Sequence, residues 1–98
     1  MKAETVVKIE KSRAKGKKYV AFVSDGRTTR RVNFGALGYG QFKDSTKLKL
    51  YKSLDHNDPK RRENYFMRHS GVPTKELALK KEKGAVITAK YLSHNYLW

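Results

Sequence analysis

Ninety-eight residues are enough for one folded domain, and a hydrophobic content of 38% with 11% aromatics is too high for a disordered tail. Twenty-three Lys+Arg against nine Asp+Glu leave a net charge of +14, which calls for a polyanion or an acidic protein face as partner. The absence of cysteine excludes disulfides, thiolate zinc sites and cysteine nucleophiles, and no apolar run approaches the roughly 18 residues of a membrane span.

The start, Met1-Lys2-Ala3-Glu4, lacks the apolar core of a signal peptide, so a protein that is not secreted is expected. Glu4 to Lys11 alternates with period two, Val7 and Ile9 on one face and Lys8 and Glu10 on the other, which predicts a strand. Ser12 to Lys18 is basic, contains Gly16 and reads as a turn. Tyr19-Val20-Ala21-Phe22-Val23 is a short apolar run suited to a central strand. Asp25-Gly26 predicts a tight type I′ turn, because both central residues of that turn need positive φ. Thr28 to Phe34 returns as a strand with Val32 and Phe34 on one face.

Three glycines in Gly35-Ala36-Leu37-Gly38-Tyr39-Gly40 imply a turn or a close backbone approach. Lys47 to Lys52 alternates again and predicts a fourth strand at a sheet edge, where lysines oppose aggregation, with a helix as the alternative. Asp58-Pro59 predicts a helix start: Asp caps free amides, and Pro at the first helical position loses no hydrogen bond. That helix runs to about His69, with Arg68 and His69 at its negative end and Ser70-Gly71 beyond. A second short helix is expected over Pro73 to Lys83, with Leu77 and Leu79 toward the core. A third, capped at Thr88, is expected to run to Trp98. The expectation is therefore a single α+β domain over residues 1–98: a small three- to four-stranded antiparallel sheet followed by two or three short helices.

No enzyme is expected. The glycine segment lacks the Lys-Ser/Thr of a phosphate-binding loop and the glycine order of a dinucleotide fingerprint, and it follows a strand rather than joining two helices. His56, His69 and His94 have no helical metal spacing and no nucleophile–base partner, so they are read as surface or capping residues, and no cofactor or metal is assigned. Tyr19, Tyr39 and Tyr65 are read as core rings, with stacking on unpaired bases as the alternative for any that is exposed. The basic residues come in groups, and the candidate polyanion site is Lys15, Lys17, Lys18, Arg27, Arg30, Arg31, Lys60, Arg61, Arg62 and Arg68. Arg27, Arg30 and Arg31 are expected to project together beside the Asp-Gly turn, where guanidinium groups can grip phosphate or carboxylate with two hydrogen bonds each.

From Tyr19 onward the chain resembles a family of small basic proteins encoded by large DNA viruses of algae and amoebae. The resemblance rests on Lys17-Lys18-Tyr19, on Phe34-Gly35-Ala36-Leu37-Gly38-Tyr39, and on the block from His56 to His69. That block is similar to the pattern H-x-D-x-x-R-x-x-x-Y-x-x-R-H, with His56, Asp58, Arg61, Tyr65, Arg68 and His69 in matching places. The close, Tyr91-Leu92 to Leu97-Trp98, is also similar, whereas Lys43 to Leu54 is longer than the family's link and Met1 to Lys15 has no counterpart. The resemblance implies a viral protein, in the virion or inside the infected cell. Two functions are then expected to compete. One is phosphate-based, sequence-independent binding of nucleic acid, DNA ahead of RNA. The other is a minor capsid role on acidic faces of larger capsid proteins.

Overall fold

The computed structural model describes residues 4–82 and 86–98. Met1–Ala3 and Lys83, the expected end of the second helix, lie outside the described residues. Three strands, β1 (Thr5–Lys11), β2 (Lys17–Ser24) and β3 (Thr29–Ala36), make an antiparallel sheet in the order β1-β2-β3. Among the described residues three α-helices follow, α1 (Pro59–Ser70), α2 (Lys75–Glu82) and α3 (Ala89–Tyr96), after a short 3-10 turn at Lys52–Leu54, so the fold is α+β.

The inner face of β2 carries Tyr19, Ala21 and Val23, all fully buried, with Val32 and Phe34 of β3 beside them. On β1 the expected phase is corrected. The register shifts between Val6 and Lys8, so Val6 lies opposite Val23, and Ile9 opposite Ala21. Val7 is the extra residue of this bulge and is 63% exposed, so Val6 and Ile9, not Val7 and Ile9, face the core. The β2–β3 turn is also longer than a two-residue type I′ turn. Ser24 pairs with Thr29, and of Asp25 and Gly26 only the glycine has positive φ, +93°. Asp25 Oδ1 instead accepts from the backbone N–H groups of Thr28 (2.9 Å) and Arg27 (2.8 Å), which close the loop and hold its carboxyl below the ordinary carboxylate range.

The alternation of Lys47 to Lys52 does not produce a fourth strand. Lys49 adopts φ +49°, which breaks an extended run, and Leu48 and Leu50 are exposed. The stretch belongs to a long connection wound around one buried carboxylate, Asp44. Its Oδ2 accepts from the Tyr19 hydroxyl and the Tyr51 N–H (3.2 Å), and its Oδ1 from the Thr46 N–H (3.0 Å) and hydroxyl (2.6 Å). The connection is tied to the end of α3 by Lys43 N–H to Leu97 O and Ser45 N–H to Tyr96 O. Polar groups with several local partners out-compete a lone edge strand for this backbone.

Helix α1 forms as its caps dictate. Asp58 accepts from the N–H groups of Lys60 (3.0 Å) and Arg61 (3.4 Å), Pro59 opens the helix, and Gly71 closes it at φ +69°. Tyr65 and Phe66 turn inward to meet Ala78 of α2. Ala78, not Leu77, is the residue α2 buries; Leu77 is 46% exposed, because the small side chain lets α2 approach the Phe66 side of α1. Thr88 caps α3 by accepting from Tyr91 N–H (3.2 Å), and α3 ends at Tyr96, two residues before the expected Trp98. Leu92 and Leu97 of this segment pack on the sheet, while Trp98 stacks on Tyr65 with centroids 4.1 Å apart and planes 4° from parallel. Trp98 thereby joins the sheet core to the α1–α2 core.

The close approach of this C-terminal segment requires Gly35, at φ +81° in β3. A Cβ there would lie 2.9 Å from Leu97 Cδ1 and 3.2 Å from Lys18 Cβ. Gly35→Ala is expected to cost about 2–3 kcal/mol from backbone strain plus overpacking. Gly38→Ala, also at positive φ but with nothing within 4 Å, should cost about 1 kcal/mol. Urea unfolding of the two variants checks this; equal losses would mean that the contact with Leu97 contributes nothing.

Candidate nucleic-acid interface

Helix α3 packs on β3, α2 on α3 and α1 on α2, and the outer face of the strands meets the β1–β2 turn. Strand register sets what that face displays. Lys8, Phe22 and Arg31 stand side by side across β1, β2 and β3, and Glu10, Val20 and Asn33 form the next row. The Phe22 ring is half-buried between two cations, with Lys8 Nζ 4.8 Å and Arg31 Cζ 5.5 Å from its centroid. The Ser12 hydroxyl donates to Asn33 Oδ1, two strands away, so the β1–β2 turn crosses over Val20 and brings Arg13 and Ala14 onto the face.

The result is a groove of about 280 Å³, floored by Val20 and Phe22 and edged by Lys11, Arg13, Arg31 and Asn33. A more open depression of about 570 Å³ continues it around the β1 edge to Leu48 and Leu50, sharing Glu10, Lys11 and Arg13. Glu10 is the carboxylate of this surface, and Lys8 neutralises it at 3.1 Å. At the same end of the sheet, Leu37 N–H donates to Gly16 O, which holds the glycine segment against the hairpin tip. Tyr39, in this segment, is 72% exposed, and its carbonyl accepts from the Lys18 ammonium.

The structure distributes the residues expected from sequence rather than gathering them. Arg31 lines the groove just described, while Lys15 and Lys17 are exposed in the β1–β2 turn and at the start of β2. Arg27 is exposed on the β2–β3 loop at the opposite end of the sheet, roughly 25 Å away at the rise of an eight-residue strand. Arg30 and Arg31 cannot project together, because adjacent strand residues point to opposite faces. Arg30 turns toward the helices, with Nε 2.7 Å and Nη2 2.6 Å from the Glu4 carboxylate and a further bond to Ile87 O. Its guanidinium is engaged as a clamp, since Glu4 also accepts from Ile87 N–H (2.8 Å), although the side chain is 44% exposed.

Lys18 is corrected as well. It is 1% exposed, and its ammonium donates to Tyr39 O (2.6 Å) and Gln41 Oε1, inside the fold. Burial lowers its pKa, and the nearby Asp44 and Asp55 carboxylates oppose that shift. On α1, Lys60, Arg61 and Arg68 are exposed, with Lys60 near Glu63 (3.7 Å). Arg62 is packed over the Phe42 ring at 4.4 Å, with its Nε buried and without a partner, so it is no free surface cation.

Among the histidines, His56 Nδ1 accepts from Asp58 N–H (3.0 Å) at the start of α1, and His69 is exposed near its end. His94 departs from the surface or capping role: it is fully buried between Tyr65 and Ser70. Of the tyrosines, Tyr19 and Tyr65 are core rings and Tyr39 is the exposed one. Sequence reasoning missed Phe22, whose position in a continuous apolar run hid its phase; it alternates with Tyr19, Ala21 and Val23 and so belongs to the outer face. Lys8, Lys11 and Arg13, which line or flank the same face, are basic in the sequence but nothing local in it marks them as neighbours of that ring.

Among the described residues no helix is long and apolar enough to cross a membrane, and no three His, Asp or Glu residues are grouped to hold a metal ion. The DUF5754 model, described as a family of unknown function, matches residues 7–69, well over half of the chain, and the chain belongs to that family. The matched region covers β2 and β3 whole, β1 from Val7 and α1 to His69. No curated protein and no solved structure matches the chain.

Proposed function

We propose that this protein is a non-enzymatic, sequence-independent nucleic-acid-binding protein that grips phosphates with the outer face of its sheet and the adjoining hairpin tip. The observation that carries this reading is the groove itself. Lys11, Arg13 and Arg31 border an apolar floor, Lys15 and Lys17 extend the positive surface, and Glu10, already paired with Lys8, is the acidic residue lining the groove. A surface of this kind attracts polyanions, since little unpaired negative charge is built into it to oppose them. The structure's base-reading options are few: no helix is presented to a major groove from this face, which accords with backbone rather than sequence recognition. The resemblance to small basic proteins of large DNA viruses makes a packaged genome the first ligand to test, with DNA ahead of RNA.

Duplex binding should weaken steeply with salt, because each neutralised phosphate releases condensed counterions. Replacing Lys11, Arg13, Lys17 and Arg31 by Ala is expected to flatten the slope of log affinity against log salt by up to about 3.6, or about 0.9 per lost phosphate contact. Replacing Lys60, Arg61 and Arg68 on α1 should change it far less. The measurement is fluorescence anisotropy of a labelled duplex across a salt series. An unchanged slope in the first variant would overturn the site. Absence of binding even at low salt would overturn nucleic acid as the ligand and turn attention to acidic faces of capsid proteins.

A further inference from the structure

The row Lys8–Phe22–Arg31 is more than a source of positive charge. A phenylalanine has no Coulombic use in a phosphate-binding surface, and burying it among the core rings would be the favourable place for so large an apolar side chain. Here the ring is half-buried on the open face, at the centre of the sheet, flanked by one cation from each neighbouring strand. Lys8 and Arg31 are both exposed on long flexible side chains; Arg31 can swing off the ring to meet a phosphate, and Lys8 can do so by exchanging its Glu10 partner for one. The ring itself is fixed by the strand that carries it. Beside it, the groove of about 280 Å³ sits just below the roughly 300–1,000 Å³ of pockets that enclose whole small-molecule ligands, a scale suited to one planar group laid against the floor.

We infer that the preferred ligand of this surface is single-stranded nucleic acid, with one unpaired base stacked on Phe22 and the flanking phosphates held by Lys8 and Arg31. This rests on the nucleic-acid reading above and narrows it to a substrate class. Duplex bases are already stacked on each other and cannot reach the ring, whereas a single strand offers both a free base face and phosphates on either side of it. Adjacent strands lie about 4.8 Å apart, so Lys8 and Arg31 are carried roughly 10 Å apart at their backbones, one on each side of the ring, and their long side chains must converge to reach neighbouring phosphates. The base on Phe22 needs no particular identity, because every base has a π-face, and the preference should be tolerant of sequence.

The test is anisotropy with a mixed-sequence single strand and a duplex of equal phosphate number, each at low and near-physiological salt. The intact protein is expected to favour the single strand by roughly tenfold, the scale of one base–aromatic stack. Phe22→Leu keeps an apolar floor and leaves the inner face untouched, so folding should be retained. It is expected to lose most of the single-strand preference while duplex affinity and the salt slope stay as they were. Tyr39→Ala, which removes the exposed ring at the hairpin end, should leave the preference in place. Equal binding of both ligands by the intact protein, or a preference that survives Phe22→Leu and disappears in Tyr39→Ala, would overturn the inference while leaving phosphate binding intact. Failure to bind either ligand would instead remove the reading on which it rests.

Discussion

Asp44→Ala is expected to lower the unfolding free energy by about 3–5 kcal/mol, the scale seen when one member of a buried charged network is removed. Such a loss would take a large part of the roughly 5–15 kcal/mol available to a domain. The carboxylate is 1% exposed and accepts four hydrogen bonds, from Tyr19, Tyr51 and twice from Thr46. Burial alone would raise its pKa, but the bonds from Thr46, Tyr19 and Tyr51 outweigh that and hold it below the ordinary carboxylate value. The same contact and burial push the Tyr19 hydroxyl up to about 12, so that it stays a donor. Truncation to Ala would strand these donors away from water, at about 1–3 kcal/mol for each left unsatisfied. It would also remove an anion that offsets the buried Lys18 ammonium.

The measurement is urea unfolding by circular dichroism, with the midpoint lowered at unchanged m-value. Heating should show a melting temperature lower by about 12 °C or more, at 4–8 °C for each kcal/mol in a domain of this size. Asp44→Asn, which keeps the shape but loses the charge and one set of acceptors, should cost about 2 kcal/mol. A loss below about 1 kcal/mol for Asp44→Ala would mean that the connection from Gln41 to Asp55 is not held by this residue.

That connection is also where the sequence was hardest to read. Lys47 to Lys52 alternates as a strand does, but alternation signals a strand only where one face finds a core, and Leu48 and Leu50 find none. What fixes the segment is a set of side-chain bonds to Asp44 and Asp55 from residues distant in sequence, which no local pattern reports. The elements governed by local chemistry were legible. The caps of α1 at Asp58, Pro59 and Gly71, and the cap of α3 at Thr88, act within a few residues and are found where the sequence places them. The β1 phase was lost to a single inserted residue, Val7, because a bulge depends on the partner strand.

The site shows the same division. Charge was legible as an amount but not as a location. Lys17 and Lys18 are adjacent and chemically alike, yet one is exposed and the other is enclosed by Tyr39 and Gln41. Arg30 and Arg31 likewise part to opposite faces, one to clamp Glu4 and the other to flank Phe22. A bare count of cations therefore overstates the binding surface, and strand parity is the correction that sequence can supply once the strands are known.

The second large effect expected is a loss of stability in mild acid, centred on His94. Its ring is fully buried, with Nδ1 2.9 Å from the Tyr65 hydroxyl and Nε2 2.8 Å from the Ser70 hydroxyl. A neutral imidazole satisfies both, with one nitrogen accepting and the other donating. Burial pushes its pKa down to about 4, with Glu82 opposing and Lys90, His69 and Lys75 adding to the shift. The unfolded chain takes up a proton near pH 6.5, while the folded chain resists until about 4. Within that window the unfolded state binds more protons, so stability falls as pH falls, by up to about 3 kcal/mol in all, and levels off below it. Above pH 6.5 this residue contributes no slope.

His56 and His69 are shifted in the same direction, burial being the first cause for each, but both are less enclosed than His94 and should add smaller slopes. Urea midpoints measured from pH 7.5 to 4 would show the decline. His94→Gln retains a donor and an acceptor but cannot titrate, so it should start about 1–2 kcal/mol less stable at pH 7.5 and lose much less on acidification. A slope that persists in His94→Gln would move the acid sensitivity to His56 and His69. The Tyr65–His94–Ser70 contacts would then be packing that tolerates a charged ring, contrary to the burial that defines them.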